Sequence, residues 1–66
     1  MKLFIEKENK TLELAMERKK SIKELLKEQG ISLESVILIK NNEIVLEDEE
    51  VSNSDTLKLL SVVSGG

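Results

Sequence analysis

The stretch that decides the fold closes the chain: Leu57-Lys58-Leu59-Leu60-Ser61-Val62-Val63-Ser64-Gly65-Gly66. Its first part is rich in leucine and valine and is typical of a strand. Two glycines follow, and glycine adopts backbone dihedral angles that other residues rarely reach and can lie close against another surface. We therefore expect a strand that leads into a flexible tail, residues 63–66, with the carboxylate of Gly66 standing clear of the folded body.

Composition limits the possible functions. The chain has 66 residues, no cysteine and no histidine, and a net charge of −3. Its length predicts a single domain, residues 1–66. Without histidine or cysteine the chain lacks the commonest metal ligands, the commonest general base and any thiol chemistry. We therefore expect no metal site and no enzymatic activity of its own.

The sequence also argues against membranes and nucleic acid as partners. No run approaches the ~20 apolar residues of a membrane span, and the N-terminal residues are too charged for a signal peptide. We expect a cytoplasmic monomer. The basic residues between Arg18 and Lys27 are interrupted by Glu17 and Glu24, which favours a solvated helix face over a nucleic-acid patch. The acidic run Glu47–Glu50 lacks the spacing of a calcium loop and is expected to be a solvated loop.

Periodicity predicts five strands and one helix. The strand segments alternate apolar and polar residues or are rich in β-branched residues, and they are residues 2–7, 11–16, 36–40, 43–46 and 57–63. Asn41-Asn42 predicts a tight turn because asparagine tolerates positive φ. Ser21-Ile22-Lys23-Glu24 is a capping box that begins a helix of about nine or ten residues, and Gly30 is expected to end it.

This order of elements predicts a two-layer α+β domain, in which one helix covers one face of a mixed sheet of four to five strands. The last strand is expected to lie beside the first and parallel to it. Strand alternation assigns one set of residues to the helix side: Leu3, Ile5, Ile37, Ile39, Leu57 and Leu59. It assigns another set to the opposite face, where a partner could bind: Phe4, Leu38, Leu60 and Val62.

The chain resembles the β-grasp sulfur carriers of the ThiS/MoaD type and the small archaeal ubiquitin-like modifiers. Residues 1–5 and 11–14 resemble the opening hairpin of ubiquitin. Residues 40–45 are similar to the family's strand, turn and short strand, and residues 55–66 to its last strand and tail. The resemblance covers essentially the whole chain and implies a β-grasp, ubiquitin-like fold.

The resemblance also implies a function. Gly66 would be the reacting residue, Gly65 would give clearance, and Ser64 and Val63 would occupy the channel of an activating enzyme. That partner would use ATP to adenylate the carboxylate, and the chain itself would bind no cofactor. The product would be a thiocarboxylate, formed with a sulfur donor protein, or an isopeptide with a target lysine. The resemblance leaves open whether thiamine, molybdopterin or tRNA thiolation uses the sulfur.

Two alternatives remain at this point. The chain could be a non-covalent β-grasp interaction module without C-terminal chemistry, or a small RNA-binding domain that uses the basic cluster between Arg18 and Lys27. An interaction module should not need its terminal glycines. An RNA-binding domain should show a steep dependence of affinity on salt concentration.

Overall fold

The strand that comes last in the sequence lies at the centre of the sheet. The computed structural model describes residues 1–62. In it, β7 (Thr56–Ser61) is flanked by β1 (Lys2–Ile5), which runs parallel to it, and by β4 (Val36–Lys40), which runs antiparallel. This confirms the predicted parallel pairing of the first and last strands. The predicted tail, residues 63–66, lies outside the described residues.

Two further strands complete the sheet. β2 (Lys10–Glu13) pairs antiparallel with β1, and β5 (Glu43–Val45) pairs antiparallel with β4. The strand order is β2-β1-β7-β4-β5. One α-helix of the described chain, α1 (Ile22–Glu28), buries its apolar side chains in the core formed with this sheet. The predicted α+β class, the mixed five-stranded sheet and the β-grasp fold are confirmed.

The connection between β1 and β2 begins earlier in the chain than the sequence predicts. β1 ends at Ile5, and Glu6–Glu8 form a short 3₁₀ helix. Asn9 then takes a left-handed conformation with φ of 48°, and its amide donates to the carbonyl of Glu6 at 3.0 Å. Asparagine tolerates this conformation better than most residues, so the chain reverses without a glycine.

The helix begins where the sequence predicts. The Ser21 hydroxyl accepts a hydrogen bond from the amide of Glu24 at 3.2 Å, which satisfies one of the free amides of the first turn. The helix ends earlier than expected, at Glu28, and Gly30 follows in the left-handed region with φ of +70°. Within residues 1–62, no helix has both the length and the apolar character needed to cross a bilayer.

The acidic loop, residues 47–50, is exposed, as expected, and its backbone is tied to the start of the helix. The amides of Ile22 and Lys23 donate to the carbonyls of Glu49 and Glu47 at 2.8 and 3.0 Å. A two-stranded sheet that the sequence does not predict forms beside them, between β3 (Lys20–Ser21) and β6 (Glu50–Val51). These contacts hold Val51 in the core with 1% of its surface exposed.

The core lies between the sheet and the helix. It consists of nine buried aliphatic side chains: Leu3, Ile5, Ile22, Leu25, Leu26, Leu38, Val51, Leu57 and Leu59. Side chains from the chain ends, loops and strand edges pack around it and remain partly exposed. No polar side chain of the described residues is buried.

The prediction of which β4 residues face the helix is wrong. Leu38, expected on the outer face, is 6% exposed and lies in the core, whereas Ile37, expected inside, is 38% exposed. The register explains this, because Leu38 lies opposite Leu59 and Ile37 opposite Leu60, and residues directly opposite on neighbouring strands share a face. Leu38 is therefore removed from the predicted partner patch, and Ile39 changes sides with Ile37.

Candidate functional site

Two hydrogen bonds fix the point at which the chain leaves the sheet for the predicted tail. The amide of Ser61 donates to the Glu6 carboxylate at 3.1 Å, and the amide of Val62 donates to the Ser35 carbonyl at 2.8 Å. We call these four residues the tail root. The predicted site residues beyond it, Val63, Ser64, Gly65 and Gly66, lie outside the described residues.

Topology places Glu6 at the tail root. Because β1 and β7 are parallel, their carboxyl ends lie at the same edge of the sheet. Glu6 directly follows β1, and its side chain reaches across to Ser61 at the end of β7. The pairing was not visible in the sequence, where these residues are separated by more than half the chain.

Ser35 reaches the tail root through an unusual backbone conformation. Its φ is +57°, in the left-handed region that few non-glycine residues occupy. The turn directs the Ser35 carbonyl towards Val62 and starts β4 at Val36, which lies opposite Ser61. Both neighbours of β7 therefore contribute one acceptor each at the end of the sheet.

We expect replacement of Glu6 by alanine to loosen the tail root without unfolding the domain. A hydrogen bond of this kind contributes about 1 kcal/mol net, so the Ser61 amide should exchange with solvent about fivefold faster. NMR hydrogen exchange on the wild type and on Glu6→Ala measures this. Glu8→Ala, in the same exposed 3₁₀ helix, is the matched control. Equal exchange in all three proteins would show that Glu6 does not hold the root.

The outer face of the sheet carries an apolar surface that is larger than predicted. Phe4 and Leu60 are half-buried there, and Val62, just beyond β7, is exposed. β4 and β5 add Ile37, Ile39 and Ile44, of which Ile44 is 76% exposed and lies opposite Ile39. We call the set the outer patch: Phe4, Ile37, Ile39, Ile44, Leu60 and Val62.

One charged residue lies within the outer patch. Lys58 is exposed and lies between Phe4 of β1 and Ile39 of β4 in the sheet register. The patch therefore combines branched aliphatic surface with a central positive charge. The sequence shows Lys58 within the strand but does not show which residues of β4 and β5 lie beside it.

The opposite end of β7 carries a polar cluster. The Asn41 side chain donates to the Asp55 carboxylate at 2.9 Å and accepts from the amide of Thr56 at 3.0 Å. The hydrogen bond from Asn41, followed by that from the Ser52 amide, holds the pKa of Asp55 below its usual value. A carboxylate with a lowered pKa stabilises the fold above its unfolded-state pKa, and this contribution is lost as the pH falls through its folded-state pKa.

Lys40 belongs to the same end of the sheet. Its ammonium donates to the Glu49 carboxylate and to the Glu50 carbonyl, both at 2.9 Å, and the hydrogen bond to Glu49 raises the pKa of Lys40. This cluster lies at the start of β7, whereas the tail root lies at its end. Among residues 1–62 no group of three potential metal ligands is assembled.

The sequence is similar to known proteins over nearly its whole length. The chain matches the model of the ThiS family over residues 2–66. It is also 33% identical over 54 residues to the sulfur carrier protein TtuB of Thermus thermophilus, an alignment that covers 82% of this chain and 83% of that protein. The family match includes the two glycines that follow the tail root.

Proposed function

We propose, from the premise that the chain belongs to the ThiS family, that it is a sulfur carrier or protein modifier that reacts through the carboxylate of Gly66. The observation that carries the proposal is the family match over residues 2–66, which extends through Gly65 and Gly66. The similarity to a sulfur carrier protein supports the same function. The chain is therefore a carrier on which other proteins act, rather than an enzyme.

The chemistry requires activation from outside the chain. A carboxylate resists nucleophiles because of its charge, and the chain contains no histidine or cysteine. A partner that binds ATP would let an oxygen of the Gly66 carboxylate attack the α-phosphorus, which releases pyrophosphate and leaves an acyl-adenylate. The carbonyl carbon then has a good leaving group, AMP.

Two kinds of nucleophile can then react with the acyl-adenylate. A partner's persulfide anion attacks the acyl carbon and AMP leaves, which forms an acyl disulfide. A thiol then attacks the partner's sulfur, so that the sulfur–sulfur bond breaks and the thiocarboxylate is released. Alternatively, the amine of a lysine attacks the same carbon, loses a proton and forms an isopeptide. Both routes use the same glycine tail.

The tail root and the outer patch support docking of the activating enzyme on the outer face. Val62 belongs to both, so a partner on the patch lies beside the residue from which the tail continues. The large aliphatic side chains supply surface for burial, and Lys58 supplies a charge that favours an acidic residue on the partner. Docking there would hold the partner's channel close to Val62, after which the tail begins.

An interaction module without C-terminal chemistry remains the second candidate. The outer patch alone supports it, since an exposed apolar surface of this kind marks a protein interface. The two candidates differ in their dependence on Gly65 and Gly66: a module should bind its partner equally well when these glycines are removed, whereas a carrier should lose its chemistry.

Replacement of Leu60 by glutamate should weaken activation while the fold persists. Leu60 is half-buried on the outer patch, and a carboxylate there would have to be desolvated against an apolar partner surface. We expect the KM for this chain in ATP–pyrophosphate exchange with its activating enzyme to rise at least about tenfold, which corresponds to about 1.4 kcal/mol.

Ala15→Glu provides the matched control, because it introduces the same charge at an exposed residue outside the outer patch. We expect it to be activated like the wild type. Circular dichroism melting curves show whether either variant has lost its fold. Normal activation of Leu60→Glu, or an equal loss in both variants, would contradict docking on the outer patch.

A further inference from the structure

An apolar groove lies along the β5 edge of the sheet. It has a volume of about 420 Å³ and is lined by Leu33, by residues 36–38 of β4, and by residues 44–48 of β5 and the segment after it. We call the part of this lining that lies outside the outer patch and the core the edge groove: Leu33, Val36, Val45, Leu46, Glu47 and Asp48. Ile37 and Ile44 of the outer patch complete its wall. Leu46 is the most exposed large apolar side chain of the described residues, at 78%.

The edge groove exists because the core does not extend to the end of the sheet. β5 is an edge strand of the sheet. Leu33 and Val45 pack against the core but remain only half-buried, and Leu46 beyond them is left in water. Burial of one leucine side chain is favourable by about 1.5–3 kcal/mol. A partner segment that covers Leu46 would therefore gain binding free energy.

The rim of the edge groove is negative. Glu47 and Asp48 line it, and the ion pairs of the described chain use Glu28 and Glu49 instead. The backbone carbonyl of Glu47 is fixed by the amide of Lys23 at the start of α1. An apolar floor beside two acidic residues favours an apolar side chain flanked by basic ones.

The charge of the rim also disfavours the other possible occupants. The chain's own tail, residues 63–66, has the Gly66 carboxylate as its charged group, which has the same sign as Glu47 and Asp48. A second copy of the chain brings a net charge of −3. Neither complements the rim as a basic segment of another protein does.

We infer that the edge groove is a second protein-docking site, which takes a segment of a partner that carries aliphatic side chains flanked by lysine or arginine. The site is independent of the activation chemistry and adjoins the outer patch, which contributes Ile37 and Ile44 to its wall. Val36 lines the groove and lies opposite Ser61, so a partner in the groove sits beside the tail root.

A capped peptide with a leucine pair flanked on each side by two lysines is the probe. Titrated into ¹⁵N-labelled full chain, it should give saturable NMR shifts at Leu33, Val45 and Leu46, with a Kd of about 1 mM or tighter. Two matched peptides, with serines in place of the leucines or glutamates in place of the lysines, should not saturate at these amides.

Variants of the groove separate the contribution of apolar burial to binding from that of the acidic charges. Leu46→Ser should weaken binding about tenfold through lost burial. The double variant Glu47→Gln, Asp48→Gln should weaken it about threefold, as exposed charge pairs do. The double variant Glu8→Gln, Glu13→Gln removes the same charge from other exposed positions and should bind like the wild type. Leu46 is largely exposed, so its replacement should leave the melting curve unchanged.

The remaining outcomes overturn the inference. Shifts confined to Phe4 and Leu60, equal shifts with the serine peptide, or no saturation would each remove the edge groove as a docking site for a basic segment. Tighter peptide binding after deletion of residues 63–66 would identify the tail as the occupant. A dimer in sedimentation that disappears in Leu46→Ser would identify a second copy instead.

Discussion

Deletion of Gly66 should abolish transfer of sulfur or of an acyl group while the melting curve stays unchanged. The deletion moves the carboxylate back by about 3.3–3.6 Å if the tail is extended. A misplacement of a reacting atom by ~1 Å can already cost about a hundredfold in rate. The buried core of the described chain is built from residues between Leu3 and Leu59, so we expect no measurable change in the free energy of unfolding.

Gly65→Val tests the same channel without changing the length of the tail. Valine adds a branched side chain where we expect a narrow passage and disfavours positive φ. ATP–pyrophosphate exchange with the activating enzyme, followed by an assay of transfer, should fall to background for both variants. One extra residue after Gly66 should act likewise until a protease removes it. Normal exchange and transfer by the Gly66 deletion would leave the interaction module as the better account.

Leu59→Ala should destabilise the fold by about 2–5 kcal/mol, whereas Leu60→Ala should cost much less. Leu59 is 1% exposed in the central strand, and its truncation removes buried surface and leaves a cavity. Leu60, its neighbour, is half-buried on the outer patch. Small domains have about 5 kcal/mol of total stability at the lower end of the usual range, so Leu59→Ala could leave the chain largely unfolded.

Chemical denaturation of the two variants measures the difference. The midpoint of unfolding in urea should fall far more for Leu59→Ala than for Leu60→Ala, with similar slopes for the proteins that remain folded. Similar losses in the two variants would contradict the assignment of faces in β7. A loss for Leu59→Ala of well under 1 kcal/mol would show that the core has been placed on the wrong side.

The parts of the fold that could be predicted are those with a local signal. The last strand begins close to its predicted start, and Ser21 caps the helix as the capping box indicates. Asn41 and Asn42 both take positive φ, as a tight turn requires. The parallel pairing of β1 and β7 follows from the handedness of chain crossovers. Each of these depends on residue type or on a general rule of topology.

The face of β4 could not be read from its composition. Residues 36–39 are all apolar, so alternation gives no preference between the two faces. Lys40 then favoured the wrong choice, because a lysine at the strand end suggests an outer position. In the structure Lys40 lies on the same side as Leu38 and is accommodated at the sheet end by Glu49 and Glu50. Only the register with β7 decides the face.

The tail root was missed for a related reason. Glu6 and Ser35 meet Ser61 and Val62 through single hydrogen bonds between segments distant in sequence. Such contacts leave no periodic pattern. The two-residue strands β3 and β6 are likewise too short to show alternation. The left-handed φ of Ser35 has no signal in its residue type, since serine is not among the residues favoured there.

Intact mass spectrometry of this chain, purified from its native cells without reducing agents or base, tests the central claim most directly. If the Gly66 carboxylate carries sulfur, part of the protein should show the mass of one oxygen-to-sulfur exchange, and fragmentation should place that exchange on Gly66. If it modifies proteins, lysines of other proteins should carry isopeptide-linked Gly65-Gly66 remnants after digestion. A mass equal to that of the unmodified chain throughout, with no isopeptide remnants, would contradict C-terminal chemistry.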